Sequence, residues 1–391
     1  MSFYLSATWL YPVTAAPLQN GVIGLDQDGT ITEILTAEEA SLRNIQDIKY
    51  YNGILVPGLI NTHCHLELSH LRGVIPEHTG LPGFVQQVMK QRQASAAEIE
   101  TAMEQADAAM YASGIVATGD ISNNSGSRSV KLKSKVYYHT FVEAMGFNPE
   151  KAKEIIQKAK ETKNAFAPLR ATIVPHAPYS VSAPLFAEIS QVSGFAEESV
   201  SIHNQETIDE NAFFQNKTGH FLQLYAFLGL DISFFEAQGK SSLQTYLPLL
   251  SAAPKTLLVH NTFTSKDDID FSQSAHPNLY WCLCPNANLY IENRLPDVEL
   301  LRDSGVTITL GTDSLASNHQ LSILAEMKTL QEQKKIPFEE LLRWATLNGA
   351  AFLGLDVLLG SFEPGKKPGV NLIEQLDGDR ITEQSRIQRL I

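Results

Sequence analysis

The chain has 391 residues, 43% of them hydrophobic, and a formal net charge of −13. That apolar content supports a sizeable core and excludes a disordered chain, and the negative balance argues against nucleic acid as a general partner. The three cysteines, Cys64, Cys282 and Cys284, are too few for a disulfide scaffold and point to a reducing compartment. The N-terminal stretch lacks the basic flank and apolar length of a signal peptide, and no run approaches the ~18 apolar residues of a membrane span. These features predict a cytoplasmic protein with a small-molecule ligand and no membrane partner.

Residues 1–56 read as short strands and turns. The run 21–29 closes on the turn signal Asp28-Gly29, and alternation resumes at Thr30. From residue 57 the pattern changes. Apolar runs at 55–61, 115–121, 136–144, 171–176, 200–203, 256–260, 279–284 and 307–311 read as strands buried on both faces. Segments 83–113 (one or two helices), 149–163, 183–191, 208–217 and 296–304 read as helical, and 320–333 and 339–352 follow the last strand. Strands alternating with helices in this way predict an α/β fold, a (β/α)8 TIM barrel of about 300 residues. From about residue 356 the chain turns β-like again, rich in Gly and Pro over 360–369. The predicted organisation is a barrel domain over 57–355 and a small β-sandwich domain built from 1–56 and 356–391.

Polar residues collect where the apolar strands stop. His63 and His65 follow the first, and alternation puts both on one face with Cys64 on the other. His176 follows the fourth strand, His203 the fifth, His260 the sixth and Asp313 the eighth. In a barrel those ends share one mouth, where barrel enzymes keep their chemistry. Histidines with an aspartate and an open position form a catalytic set for zinc or another borderline divalent metal. A lone histidine at a strand end is usually just a satisfied polar residue, and His139, His220 and His276 are read that way. Cys282 and Cys284 lack the second pair of a zinc ribbon and read as core residues.

The motifs Pro57-Gly58 through His65, Pro175-His176-Ala177-Pro178-Tyr179-Ser180, His203 with Glu206, Val259-His260-Asn261, Cys284-Pro285-Asn286-Ala287-Asn288 and Gly311-Thr312-Asp313-Ser314 together resemble the amidohydrolase superfamily. Within it they are similar to the branch of adenosine- and S-adenosylhomocysteine-type deaminases and triazine hydrolases. Thr346 to Ala351 and Gly360 to Gly369 match that branch too, so the resemblance covers nearly the whole chain. It implies a mononuclear metal centre, because the bridging lysine of two-metal members is replaced after strand four by His176. It further implies His63, His65, His203 and Asp313 as ligands of one divalent ion, zinc with ferrous iron as the alternative. His260 then holds the attacking water by a hydrogen bond. A homodimer is common among such relatives.

The implied reaction is hydrolytic deamination of an amidine-like ring carbon. Asp313 and His260 take the water proton, and Glu206 protonates the adjacent ring nitrogen and then the departing ammonia. A carboxylic acid serves so only in a dry pocket that raises its pKa. The cytidine-deaminase type of zinc site is excluded, since it needs His-x-Glu with a later Pro-Cys-x-x-Cys. His65-Leu66-Glu67-Leu68-Ser69 resembles deaminases of 6-amino-6-deoxyfutalosine, which makes that compound or another adenosine-like nucleoside the expected substrate. Glu67 and His176 are substrate-contact candidates, with Arg72 and Glu143 as further ones. Two alternatives stand beside this reading: another cyclic C–N hydrolase of the guanine or triazine type, and a non-catalytic interaction protein on the same scaffold.

Overall fold

The apolar runs fold as parallel strands: β1 (Leu59–Cys64), β2 (Ile115–Ser122), β3 (Tyr137–Ala144), β4 (Ala171–Pro175), β5 (Ser199–Asn204), β6 (Lys255–His260), β7 (Leu279–Leu283) and β8 (Thr307–Leu310). The computed structural model describes residues 3–192, 198–250 and 253–391. In it β1 to β4 form one four-stranded sheet and β5 to β8 another, each in sequence order. Every pairing within them is parallel. All residues of β1 and of β5 are buried, which is why these strands read as unbroken runs rather than alternating ones.

The two sheets meet at both edges. The amide of His203 donates to the His176 carbonyl at 3.0 Å, tying β5 to the end of β4. The amides of Thr312 and Asp313 donate to the His63 carbonyl at 3.0 and 3.1 Å, tying the end of β8 to β1. Asn61 secures that second seam from within: its Oδ1 accepts from the Thr312 amide at 3.1 Å and its Nδ2 donates to Thr312 Oγ1 at 2.8 Å. The seam also tolerates no side chain at Gly311, where a Cβ would lie 2.8 Å from both His63 Cβ and Cys282 Sγ.

The two chain ends share a separate sheet. Val370–Glu374 pairs antiparallel with Ile48–Pro57, which runs parallel to Phe3–Leu10, and that strand continues to Val22–Leu25 and Ile31–Leu35. The outermost strand on the other side is Arg386–Arg389. A short helix, Ala37–Leu42, interrupts this region. The signal for it was Thr36 with Glu39 three residues on, which form a reciprocal capping box.

The predicted 83–113 segment resolves into two helices, Gly80–Gln91 and Ala96–Ala112, the second opened by the Ser95–Glu98 capping box. Helices Phe221–Phe227 and Pro285–Glu292 were not anticipated from the sequence. Both matter for the site below. Cys64, Cys282 and Cys284 are free thiols buried in the main core, as expected. Among the described residues no helix is long and apolar enough to cross a membrane.

Candidate active site

Four of the strand-end histidines and Asp313 converge. His63 and His65 stand edge to face, with ring centroids 4.9 Å apart, and His203 lies 4.9 Å from His63 and 5.4 Å from His65. The Nε2 atoms of His63 and His65 are 3.1 Å apart. Asp313 Oδ1 sits 3.6 Å from the first and 3.4 Å from the second. Ser317 Oγ donates to Asp313 Oδ2, which holds the carboxylate in place. His260 lies 5.7 Å from His63 and stacks on His203 at 5.5 Å.

The electrostatics of this group follow from burial. It pushes the His65 imidazole down to about 4 and that of His176 to about 3, and it lowers His63, His203 and His260 as well. The rings are therefore neutral near pH 7 and keep lone pairs to give. Burial opposes ionisation of Asp313, but the facing imidazoles of His63, His65 and His260 outweigh it, and the carboxyl stays well below its usual range.

The donor set fits a divalent cation. The trios His63–His65–Asp313 and His63–His203–His260 each bring their ligand atoms within 4.8 Å of one another. Two neutral imidazole nitrogens at 3.1 Å leave a lone pair facing a lone pair unless one carries the hydrogen, and an ion between them removes that conflict. His203 Nδ1 donates to the His176 carbonyl at 2.8 Å, which fixes its tautomer and turns Nε2 toward the site.

Glu206 follows β5 by two residues and is 4% exposed. Its Oε1 lies 3.7 Å from His260 Nε2. Burial first, then the negative charges of Asp313, Glu292 and Glu210, push its carboxyl well above the usual range. The site thus sets a carboxyl whose proton burial helps to hold beside Asp313, whose proton its neighbours help to remove.

A cavity of about 440 Å³ opens from this centre and is lined by His65, His176, His203, Glu206, His260 and Asp313. Glu67 and Glu143 share its wall. Asn123 bridges them: its amide donates to Glu67 Oε2 at 3.1 Å and its Nδ2 to Glu143 Oε2 at 3.0 Å. Burial raises Glu67 to about 7 and pushes Glu143 well above the usual carboxylate range. Glu143 Oε1 is buried with no hydrogen-bond partner among the described residues. His176 Nδ1 meets Ser180 Oγ at 2.6 Å, and that hydroxyl gives its own hydrogen to the Ala177 carbonyl at 3.1 Å. His176 is therefore the donor to Ser180, and its Nε2 is left as an acceptor. The far wall is apolar, built from Leu81, Phe84, Val88, Phe147, Leu224 and Leu228. Phe147 stacks on Tyr225 at 5.3 Å.

Arg72 is a correction. It is exposed, does not line the cavity, and caps the C-terminus of the 3-10 helix Leu66–Leu71 as the chain turns outward. The cations that do line the cavity are Arg92, at the C-terminus of Gly80–Gln91, and Lys151, both exposed at its rim. Sequence reading also missed Asn123 and the buried pair Lys131–Asp120. Lys131 Nζ is 2.6 Å from Asp120 Oδ2, and Asp120 Oδ1 accepts from the Leu66 amide at 2.8 Å, one residue past His65. The histidines read as ordinary are so: His139 bonds Thr172 at 2.8 Å, His276 bonds Thr256 at 3.3 Å, and exposed His220 faces Asp209 at 3.0 Å.

The model of the amidohydrolase family matches residues 54–387, and the chain belongs to that family, whose members are metal-dependent. It is 27% identical over 358 residues to a Helicobacter pylori protein named adenosine deaminase, covering 89% of this chain and 86% of that protein. It is 26% identical over 415 residues to a 5-methylthioadenosine/S-adenosylhomocysteine deaminase of Teredinibacter turnerae, covering 100% and 88%. Among solved structures, Helicobacter pylori aminofutalosine deaminase in complex with methylthio-coformycin superposes with a TM-score of 0.82 at 23% identity, over 100% of both chains. An adenosine deaminase from Xanthomonas campestris with bound zinc gives 0.71 at 21% identity, over 95% of this chain and 84% of that one. At these identities the structural likeness speaks to fold.

Proposed function

We propose that the chain is a metal-dependent hydrolase that releases ammonia from the adenine ring of a nucleoside, aminodeoxyfutalosine or another adenosine-like compound. The observation that carries this reading is Glu206, a buried carboxyl 3.7 Å from His260 Nε2 in the same cavity as Asp313. The deaminase names of the sequence relatives support it. His63, His65, His203 and Asp313 would hold the ion. Zinc suits the nitrogen-rich set, and ferrous iron is the alternative. The chemistry a divalent cation supplies there is Lewis-acid activation of water near neutral pH.

The chain's own groups divide the proton work. Ionised Asp313 and neutral His260 are acceptors for the attacking water's proton. Glu206 is the donor, first to the ring nitrogen beside the reacting carbon. The resulting carboxylate then takes the proton of the hydroxyl added to the ring carbon and passes it to the amino group, so that the C–N bond breaks with ammonia leaving and the ring keeps the new oxygen as a carbonyl. The water proton first taken by Asp313 and His260 restores Glu206. A carboxyl that does this must hold its proton more tightly than an ordinary carboxylate, and burial pushes Glu206 in that direction.

The cavity supports the nucleoside class. Glu67, Glu143 and the Nε2 of His176 present acceptors, which suit ribose hydroxyls and ring amino groups. The apolar far wall suits an extension beyond the sugar, and Arg92 and Lys151 offer cations to an anionic group on it. We also read the two parallel sheets as one closed (β/α)8 barrel over 57–355, on the strength of the two seams, and the terminal sheet as a small β-sandwich unit from 1–56 and 356–391.

The test is ammonia release by the purified, zinc-loaded protein across adenosine, 5-methylthioadenosine, S-adenosylhomocysteine and aminodeoxyfutalosine, with guanine and triazines alongside. Turnover confined to guanine or triazines would replace the nucleoside reading with the other C–N hydrolase class.

A further inference from the structure

His260 ends β6 with a backbone φ of +75°, and Asn261 follows at +59°. Non-glycine residues seldom adopt that region and persist there only where their surroundings fix them. Here asparagines fix them. Asn261 Nδ2 donates to the Leu258 carbonyl at 2.8 Å and to the Cys282 carbonyl at 3.1 Å. Asn204 Nδ2 donates to Asn261 Oδ1 at 3.0 Å, and Tyr246 Oη donates to Asn204 Oδ1 at 2.8 Å. This network turns the His260 ring into the cavity.

The ring itself meets Asn288, a residue 1% exposed on the helix Pro285–Glu292. Pro285 starts that helix directly after Cys284, and the Asn288 amide bonds the Cys284 carbonyl at 2.9 Å. Asn288 Oδ1 lies 2.8 Å from His260 Nδ1, while its Nδ2 lies 3.4 Å from the His260 carbonyl oxygen. The carbonyl can only accept, so the NH2 end of the amide belongs there and the oxygen belongs at the ring. That oxygen can only accept too, so Nδ1 carries the hydrogen. A neutral imidazole with Nδ1–H has its lone pair on Nε2, the atom that faces Glu206.

We propose that Asn288 is a positioning residue that fixes His260 as the Nδ1–H tautomer and so makes Nε2 a proton acceptor at the reacting centre. What Nε2 accepts rests on the hydrolytic reading above; the tautomer does not. With the opposite tautomer Nε2 would carry the hydrogen, and the water proton would have one acceptor fewer.

The experiment is 15N NMR of histidine-labelled, zinc-loaded full-length protein at pH 7.5, with the His260 signals assigned by their loss in His260→Gln. The parent is expected to show a protonated Nδ1 and an unprotonated Nε2 for His260. Asn288→Leu, which keeps volume and removes the acceptor, should move the population toward Nε2–H. It should also lower kcat about 10- to 100-fold, with KM within about twofold. Asn288→Asp still accepts from Nδ1 and should retain the parent tautomer. A parent spectrum showing Nε2–H overturns the proposal, as does an Asn288→Leu spectrum identical to the parent's. If Asn288→Leu does not fold, the parent and Asn288→Asp spectra decide the matter. A changed tautomer with unchanged kcat supports the positioning role and overturns instead the role given to His260 in the reaction.

Discussion

The Nε2 atoms of His63 and His65 stand 3.1 Å apart in a buried pair, with Asp313 Oδ1 within 3.6 Å of both. With both lone pairs turned inward the two nitrogens repel, and a divalent ion between them removes that conflict. Removing the divalent ion with a chelator should therefore abolish turnover and lower Tm, and zinc should restore both. A ligand at about 100 times its Kd stabilises by about 2.7 kcal/mol, enough to read in a thermal melt. His65→Asn should lower the bound metal measured by elemental analysis and flatten the Tm response to added zinc.

Glu206 is the acid of the proposed reaction. Glu206→Gln keeps its size and one acceptor but cannot give up a proton. The expected loss in kcat is about 10²- to 10⁴-fold. Metal content and Tm should stay at or above the parent values, because the variant removes a buried ionisable group. Steady-state kinetics and metal analysis on one preparation check both halves.

Glu210 gives a pH dependence of stability away from the ion site. It is fully buried, accepts from the Gln205 amide at 2.9 Å, and leaves Oε2 without a partner among the described residues. Burial raises its carboxyl from 4.5 to about 7. The folded state therefore binds this proton more tightly than the unfolded one. The associated stability is fully present below pH 4.5 and is lost as pH rises through 7, by roughly 3 kcal/mol in all. Glu210→Gln should remove that part of the decline. Urea unfolding at pH 5 and pH 8 should show a smaller difference for the variant than for the parent.

Lys131 and Asp120 form an ion pair whose side chains are both 0% exposed. Lys131 Nζ also bonds Ser122 Oγ and Thr140 Oγ1 at 3.0 Å each. Lys131→Met strands the Asp120 carboxylate and should cost about 3–5 kcal/mol in urea unfolding. The double variant with Asp120→Asn should recover part of that loss, since the stranded charge is gone. The Leu66 amide would still find an acceptor in the asparagine, so bound metal should recover with it.

Much of this was legible in the sequence, and the reason is periodicity. Strands buried on both faces read as unbroken apolar runs, and the first polar residue after each run is by construction at the mouth. That placed His65, His176, His203, His260 and Asp313 around one cavity, with His63 buried against them. What was not legible depends on how short segments turn. Arg72 and Arg92 are both cations on the first loop excursion, and only the outward turn after Leu66–Leu71 and the return through Gly80–Gln91 decide which one reaches the cavity. Asn288 and Asn261 looked like motif letters, because their work depends on the positive φ of His260, which no residue pattern displays. The aromatic wall around Phe147 and Tyr225 was likewise hidden, since Phe221–Phe227 is a helix of seven residues with too few turns for a clear period.

The central claim is a metal-centred deaminase that uses Glu206 as its acid. It is tested most directly by following ammonia release from adenine nucleosides with zinc-loaded parent and Glu206→Gln protein side by side. The account predicts stoichiometric ammonia and the corresponding 6-oxo product from the parent on at least one of these nucleosides, and a loss of about 10²-fold or more in the variant at equal metal content. Equal turnover by the two proteins, or no ammonia from any adenine nucleoside with the ion bound, would contradict it.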